Sequence, residues 1–255
     1  MDIQSVNASI SPERFQTYLD TMGGGFDKAL ALYEENSFLA ESFYFPLQSI
    51  EVTLRNAFSA LFVKKTNVPT WYHATIMVKG RRTDLLRAPQ RAKVDEEIAR
   101  LNTENGTKPS WTLKPCDVIA SLSFGFWVSL SDSFYKDHLW TSTIGLHDAF
   151  PNFGRRPVRD EIFKRLDSLR RLRNRIAHHE PIFRRDLGLD FSNIVEAVNW
   201  INPTAAAWTR SKSKVLEKLD ECQVAKEAKV KVDAAIQAEK VAAIRKKIQL
   251  PPKTS

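Results

Sequence analysis

Residues 157–183 read PVRDEIFKRLDSLRRLRNRIAHHEPIF. Pro157 suits the start of a helix and Pro181 cannot continue one, so Arg159 to Glu180 is expected to form a single helix. At about 100° per residue, Ile162, Leu166, Leu169, Leu172 and Ile176 fall on one apolar stripe. Arg173 is placed inside that stripe. A guanidinium on the core side is costly unless it is paired or faces a functional cavity. Asn174 and His178, four residues apart, project together beside the stripe, so Arg173, Asn174 and His178 can line one edge of the helix.

Helical periodicity extends outward in both directions, strand alternation is almost absent, and no Asn-Gly or Asp-Gly pair separates two alternating apolar runs. The expected fold is all-α. Ser11-Pro12-Glu13 opens a helix that Gly23-Gly24-Gly25 breaks. A second helical region begins near Asp27 and runs to about Lys65, with a kink or a new start at Pro46. A charged helix is expected around Arg91 to Leu101, followed by a loop from Asn102 to Ser110. Pro115-Cys116-Asp117 opens an apolar helix carrying Phe124-Gly125-Phe126-Trp127. After a turn at Asn152-Phe153-Gly154 comes the helix quoted above, then helices over Ser192 to Ile201 and Pro203 to about Asp220. The remainder, rich in Ala, Lys and Glu, reads as an exposed or loosely docked helix that frays after Leu250.

The chain has 255 residues, 43% apolar and 27% charged, with only 9 glycines, which excludes disordered and collagenous classes. Its longest nearly uncharged stretch, Val118 to Ser131, falls short of the roughly 20 residues that cross a bilayer, so no membrane partner is expected. The opening MDIQSVNASISPERF lacks the basic and apolar regions of a secretory leader, which points to the cytoplasm. Cys116 and Cys222 are isolated in sequence and suggest neither a disulfide framework nor a zinc site. Of the net charge of +8, residues 209–255 carry +6, from 12 Lys and Arg against 6 Asp and Glu. The expected division is therefore a nearly neutral helical domain, 1–208, and a basic helical tail, 209–255. Such a balance permits nucleic-acid binding through phosphates without demanding it.

Histidine and arginine suffice for cleavage of RNA by its own 2′-hydroxyl. An imidazole takes or gives a proton near neutrality, and a guanidinium offers a planar fork of donors to the charge developing on the phosphorane. No metal or cofactor is needed. A competing reading leaves His178 and His179 as surface residues favoured at a helix C-terminus by the helix dipole. A zinc site at His178-His179-Glu180 is disfavoured, because adjacent helical positions point about 100° apart.

The segment LRNRIAHHEPIF, Leu172 to Phe183, resembles the signature of the Abi-like proteins, bacterial abortive-infection proteins of the HEPN superfamily. HEPN ribonucleases carry Arg, a polar residue, and a His four to six positions after the Arg, which Arg173, Asn174 and His178 match. SIEVTLRNAF (Ser49 to Phe58), Trp71-Tyr72, LSFGFWVSL (Leu122 to Leu130), Asp148-Ala149-Phe150-Pro151 and Val198-Asn199-Trp200-Ile201 look like family segments in the same order. The likeness covers about residues 15–208. It implies a HEPN-like helical bundle with additional helices, a homodimer that brings two motif helices together, and a metal-independent endoribonuclease at the dimer interface. Arg173 and His178 would be catalytic, with Asn174 and His179 in support. It also implies a role in phage defence or as a toxin, with RNA as substrate and an antitoxin or regulatory protein as a further partner.

Glu51 lies at the edge of the stripe Leu47, Ile50, Leu54, Phe58 and Leu61, one turn before Arg55. It is a candidate partner for Arg173; alternatively, Glu51 and Arg55 form an ordinary i,i+4 pair. The aromatic run Phe124, Phe126, Trp127 is expected in the core rather than as a base-stacking platform. Arg81-Arg82, Arg155-Arg156 and Arg184-Arg185 are possible phosphate contacts or solvated surface. A non-catalytic HEPN module binding RNA or a partner protein is the second functional reading. A DNA-binding regulator lacks a basic recognition helix.

Overall fold

In a computed structural model the described residues are 5, 9–108, 110–140, 145–154 and 156–248, with side chains as far as Ile244. The helices are α1 (Pro12–Met22), α2 (Phe26–Ser42), α3 (Tyr44–Thr66), α4 (Ala88–Asn105), α5 (Pro115–Ser121), α6 (Phe124–Ser129), α7 (Leu146–Ala149), α8 (Arg159–Ala177), α9 (Leu187–Ile201), α10 (Pro203–Lys212), α11 (Val215–Glu221) and α12 (Gln223–Ile248). The all-α expectation holds, with one addition. Residues 75–84 form an antiparallel hairpin, β1 (Thr75–Val78) and β2 (Arg81–Asp84), with Val78 opposite Arg81. Lys79 and Gly80 connect the strands, both at positive φ (49° and 77°), as in a type I′ turn. Lys-Gly takes the place that Asn-Gly usually occupies, and strands of four residues are too short to show alternation.

The chain divides into two compact units, Met1–Tyr44 with Asn174–Phe191 and Ser213–Ser255, and Phe45–Arg173 with Ser192–Lys212. This division does not coincide with a boundary at 208. In the first unit α1 and α2 pack together, with Phe15, Tyr18, Ala29, Leu32 and Leu39 buried, and α11 and α12 pack on α2. Ser11 caps α1 by accepting from Arg14 N, and Gly23 takes the left-handed conformation that ends it. The tail is anchored rather than free. Val215, Cys222, Ala225 and Ala228 are buried, and Glu35 Oε2 accepts from Ala225 N at 2.7 Å in the first turn of α12. From Asp233 to Ile244 the helix is exposed throughout. Arg245, Lys246 and Lys247 as side chains, Lys253, and the fraying expected after Leu250 lie outside the described residues, as does Arg155.

The second unit is built on α3, whose stripe Leu47, Ile50, Leu54, Phe58 and Leu61 is buried as its spacing predicts. Pro46 falls in the first turn of α3, where its missing N–H costs nothing. The apolar helix expected from Pro115 through Trp127 is instead two helices. Leu122 is extended, and Ser123 accepts from Phe126 N at 3.3 Å, so a hydroxyl restarts the helix. Phe124, Phe126 and Trp127 are buried, as core residues rather than a stacking platform.

Candidate functional site

Helix α8 buries Ile162, Leu166, Leu169 and Leu172, and its apolar face ends there. Ile176, assigned to the stripe by spacing, is only half-buried. Arg173 is therefore not on the core side as the periodicity suggested. Its side chain is 41% exposed, and it borders the buried face one residue past Leu172. The need for a partner is correspondingly weaker, but a partner is present. Glu51, on α3, places Oε2 4.0 Å from Arg173 Nε, an ion pair at the outer limit of contact. Glu51 is 25% exposed, and burial pushes its carboxyl above the ordinary carboxylate value against the opposing pull of Arg173, Arg55 and the backbone N–H of Phe124. Both sequence readings of Glu51 are partly met: it faces Arg173 across the helices while the charge of Arg55 also acts on it. Arg55 is half-buried, with Nη1 3.5 Å from the carbonyl oxygen of Ala120, too long for a strong hydrogen bond.

The end of α8 explains the two histidines. The expected helix to Glu180 stops at Ala177. His179 N donates to Ile176 O at 3.1 Å and Glu180 N to Arg175 O at 2.8 Å, the pair of bonds of a Schellman motif. His178 is then the C-cap and His179 the left-handed residue that follows it, with φ 55°. That conformation costs a residue with a Cβ about 1–2 kcal/mol, and glycine is the usual occupant. Both imidazoles are exposed. His179 thus has a backbone task.

Two contacts fix the backbone around His178. Arg14 Nη2, on α1, donates to the His178 carbonyl oxygen at 3.2 Å, covering a carbonyl that the helix leaves unpaired. Asn36 on α2 accepts through Oδ1 from Ile182 N at 2.7 Å and Phe183 N at 3.3 Å. Ile182 and Phe183 are buried, and Phe183 packs against Tyr18 with ring centroids 5.6 Å apart. The sequence reading missed Asn36. Its signal was its spacing, since it takes a core position in the series Ala29, Leu32, Asn36, Leu39.

Of the basic pairs, Arg185 is committed to Asp190 through two bonds of 2.7 Å, and Arg184 lies over the Phe183 ring at 5.6 Å. Arg82 donates to Thr75 Oγ1 at 2.7 Å. Arg156 is exposed. Among the described residues no three His, Cys, Asp or Glu side chains are placed to hold a metal ion, and no helix is long and apolar enough to cross a membrane.

Arg173, Asn174 and His178 thus stand at the exposed end of one helix, in an all-α chain whose helix α3 places a carboxylate 4.0 Å from Arg173. The family model of the Abi-like proteins matches residues 7–184, most of the chain, and the protein belongs to that family. The match includes the segments at 49–58, 71–72, 122–130, 148–151 and 172–183 and ends before Val198–Ile201. No curated protein and no solved structure matches the chain.

Proposed function

We propose that the chain is a metal-independent endoribonuclease of the HEPN type, acting as a homodimer in abortive infection or as a toxin. The observation that carries this reading is Arg173-Asn174 followed by His178 at the exposed end of α8, in a chain of the Abi-like family. The 2′-hydroxyl of one nucleotide attacks the adjacent phosphorus and passes its proton to the imidazole of His178. Arg173 donates to the non-bridging oxygens as charge gathers on them. The P–O5′ bond breaks, and O5′ takes up a proton from the imidazole of the second copy. The products are a 2′,3′-cyclic phosphate and a 5′-hydroxyl.

Helix geometry supports the homodimer. Positions 173 and 178 are separated by about 7.5 Å along the helix and about 140° around it, so the long Arg173 side chain must bend to bring its head near the imidazole of its own helix, and a partner's helix offers a second route. A two-fold axis beside α8 supplies each group twice. One observation favours the second reading, a non-catalytic HEPN module: Glu51 already neutralises part of the Arg173 charge.

One assay separates the two readings. Purified protein is incubated with total RNA in EDTA, and the new ends are analysed. Cyclic phosphate ends, lost in both Arg173→Ala and His178→Ala, support the nuclease; RNA bound but uncut, or cutting abolished by EDTA, removes it.

A further inference from the structure

We propose that the groove between α3 and α5 binds a backbone phosphate of single-stranded RNA next to the one held at Arg173. This rests on the RNA-cleaving reading above and extends it to the path of the strand. The groove has a volume of about 470 Å³ and is lined by Arg55, Asn56 and Ser59 from α3 and by Cys116, Ile119 and Ala120 from α5. Glu51, Arg55 and Ser59 are spaced four residues apart, so they form one ridge of α3 about 12 Å long leading away from Arg173.

The charges along this ridge do not balance. The single carboxylate of Glu51 faces the charges of two guanidinium groups, Arg173 and Arg55, and of these Arg55 lines the groove. None of the residues lining the groove is acidic. Asp117, one residue past Cys116, caps the start of α5, where Oδ2 accepts from Lys114 N at 2.9 Å, and its Oδ1 lies 3.9 Å from Cys116 Sγ at the edge of the groove. The remaining wall is Ala and Ile, a poorly polarisable surface that strengthens the pull of a cation on an anion. The lining side chains keep donor capacity. Arg55 spends one N–H on a long contact with Ala120 O, and Asn56 is exposed. Ser59 Oγ accepts from Trp71 Nε1 at 3.1 Å, which fixes the oxygen and leaves its own O–H to donate. A guanidinium fork, an amide and an oriented hydroxyl around an unbalanced positive charge suit a phosphodiester.

Cys116 supplies a built-in reporter, because it is exposed in the groove whereas Cys222 is buried. The full chain is treated with iodoacetamide with and without a saturating 2′-O-methyl RNA dodecamer, which cannot be cleaved, and binding of the same strand is followed against salt. The strand should slow Cys116 alkylation at least fivefold. Arg55→Ala should abolish that protection and lower the slope of log affinity against log salt by about 0.7, the value of one phosphate contact on a single strand. Ala60→Glu, at an exposed position on the groove wall, should do the same with Arg55 intact.

Unchanged affinity and slope in both variants, or Cys116 alkylated at the free rate in the saturated complex, overturns the proposal. So does equal protection by inorganic phosphate alone at the same phosphate concentration. Protection without any cleavage of ordinary RNA by the wild type would remove the nuclease reading and leave the groove. Cleavage without protection would do the reverse.

Discussion

Arg14 and His178, 164 residues apart in the chain, meet where the guanidinium donates to the carbonyl oxygen that closes helix α8, at 3.2 Å. The contact acts on the backbone, so it sets the position of the His178 side chain without touching it. Arg14 is exposed, and the loss from Arg14→Ala should be small in stability, about 0.5 kcal/mol by thermal unfolding. The loss in cleavage should be larger, several-fold in rate. Equal RNA cleavage by variant and wild type would show that the cap is not needed to place His178.

His179 holds a left-handed position that suits glycine. His179→Gly should raise stability by about 0.5–1 kcal/mol, seen as a higher Tm, while RNA cleavage persists. His178→Ala should leave Tm nearly unchanged and abolish cleavage. A His179→Gly variant that is destabilised and inactive would assign the chemistry to the wrong imidazole.

Asn36 is buried and is the acceptor for two backbone N–H groups in the loop after the motif. Asn36→Leu keeps the volume but leaves both donors buried and unpaired, each costing about 1–3 kcal/mol. Urea unfolding should show a loss of about 2–4 kcal/mol. A loss below 0.5 kcal/mol would mean that the loop re-pairs elsewhere.

Burial holds the carboxyl of Glu51 above its ordinary value. In the folded state it binds its proton more tightly than in the unfolded chain, so stability falls as pH rises from the unfolded value through the folded one. Glu51→Gln removes that dependence. Relative to wild type, its stability should therefore climb as pH rises above the ordinary carboxylate value of about 4.3, in urea titrations at each pH. A flat or falling difference would show that the pairing with Arg173 and Arg55 outweighs burial.

Two truncations should separate the anchored and exposed parts of the tail. Deleting 234–255 removes no residue described as buried and should leave Tm within about 2 °C. It also removes Lys240 and the lysines beyond it, so any contribution to RNA binding shows as a reduced salt slope. Deleting 221–255 also strips Cys222, Ala225 and Ala228 from the core and frees Glu35. That variant should lose about 3 kcal/mol. Equal stability of the two truncated proteins would mean that the anchor contributes nothing.

Local period and punctuation made most of the helices legible. Ser11-Pro12, the three glycines, Pro115, Pro157 and Pro181 act on their own neighbours, and the stripe of α3 needs only a helix and an apolar face. The Arg173, Asn174, His178 motif was legible for the same reason. The hairpin at 75–84 was not, because a Lys-Gly turn between four-residue strands falls below any alternation signal. Nor was the break at Leu122, where one hydroxyl competes with a continuing apolar helix.

By itself the sequence determined most of the helices, the family and the residue types of the candidate site. Only the tertiary structure decided that Arg173 borders the core instead of entering it, that Asn36 pins the loop after the motif, and that Glu35 ties down the tail. Asn36 and Ile182 are 146 residues apart, and Glu35 and Ala225 are 190 apart. Helical period fixes direction around an axis, but burial depends on what packs against each turn. Past Leu172 the apolar face of α8 ends, and the spacing that placed Arg173 in the stripe no longer corresponds to burial.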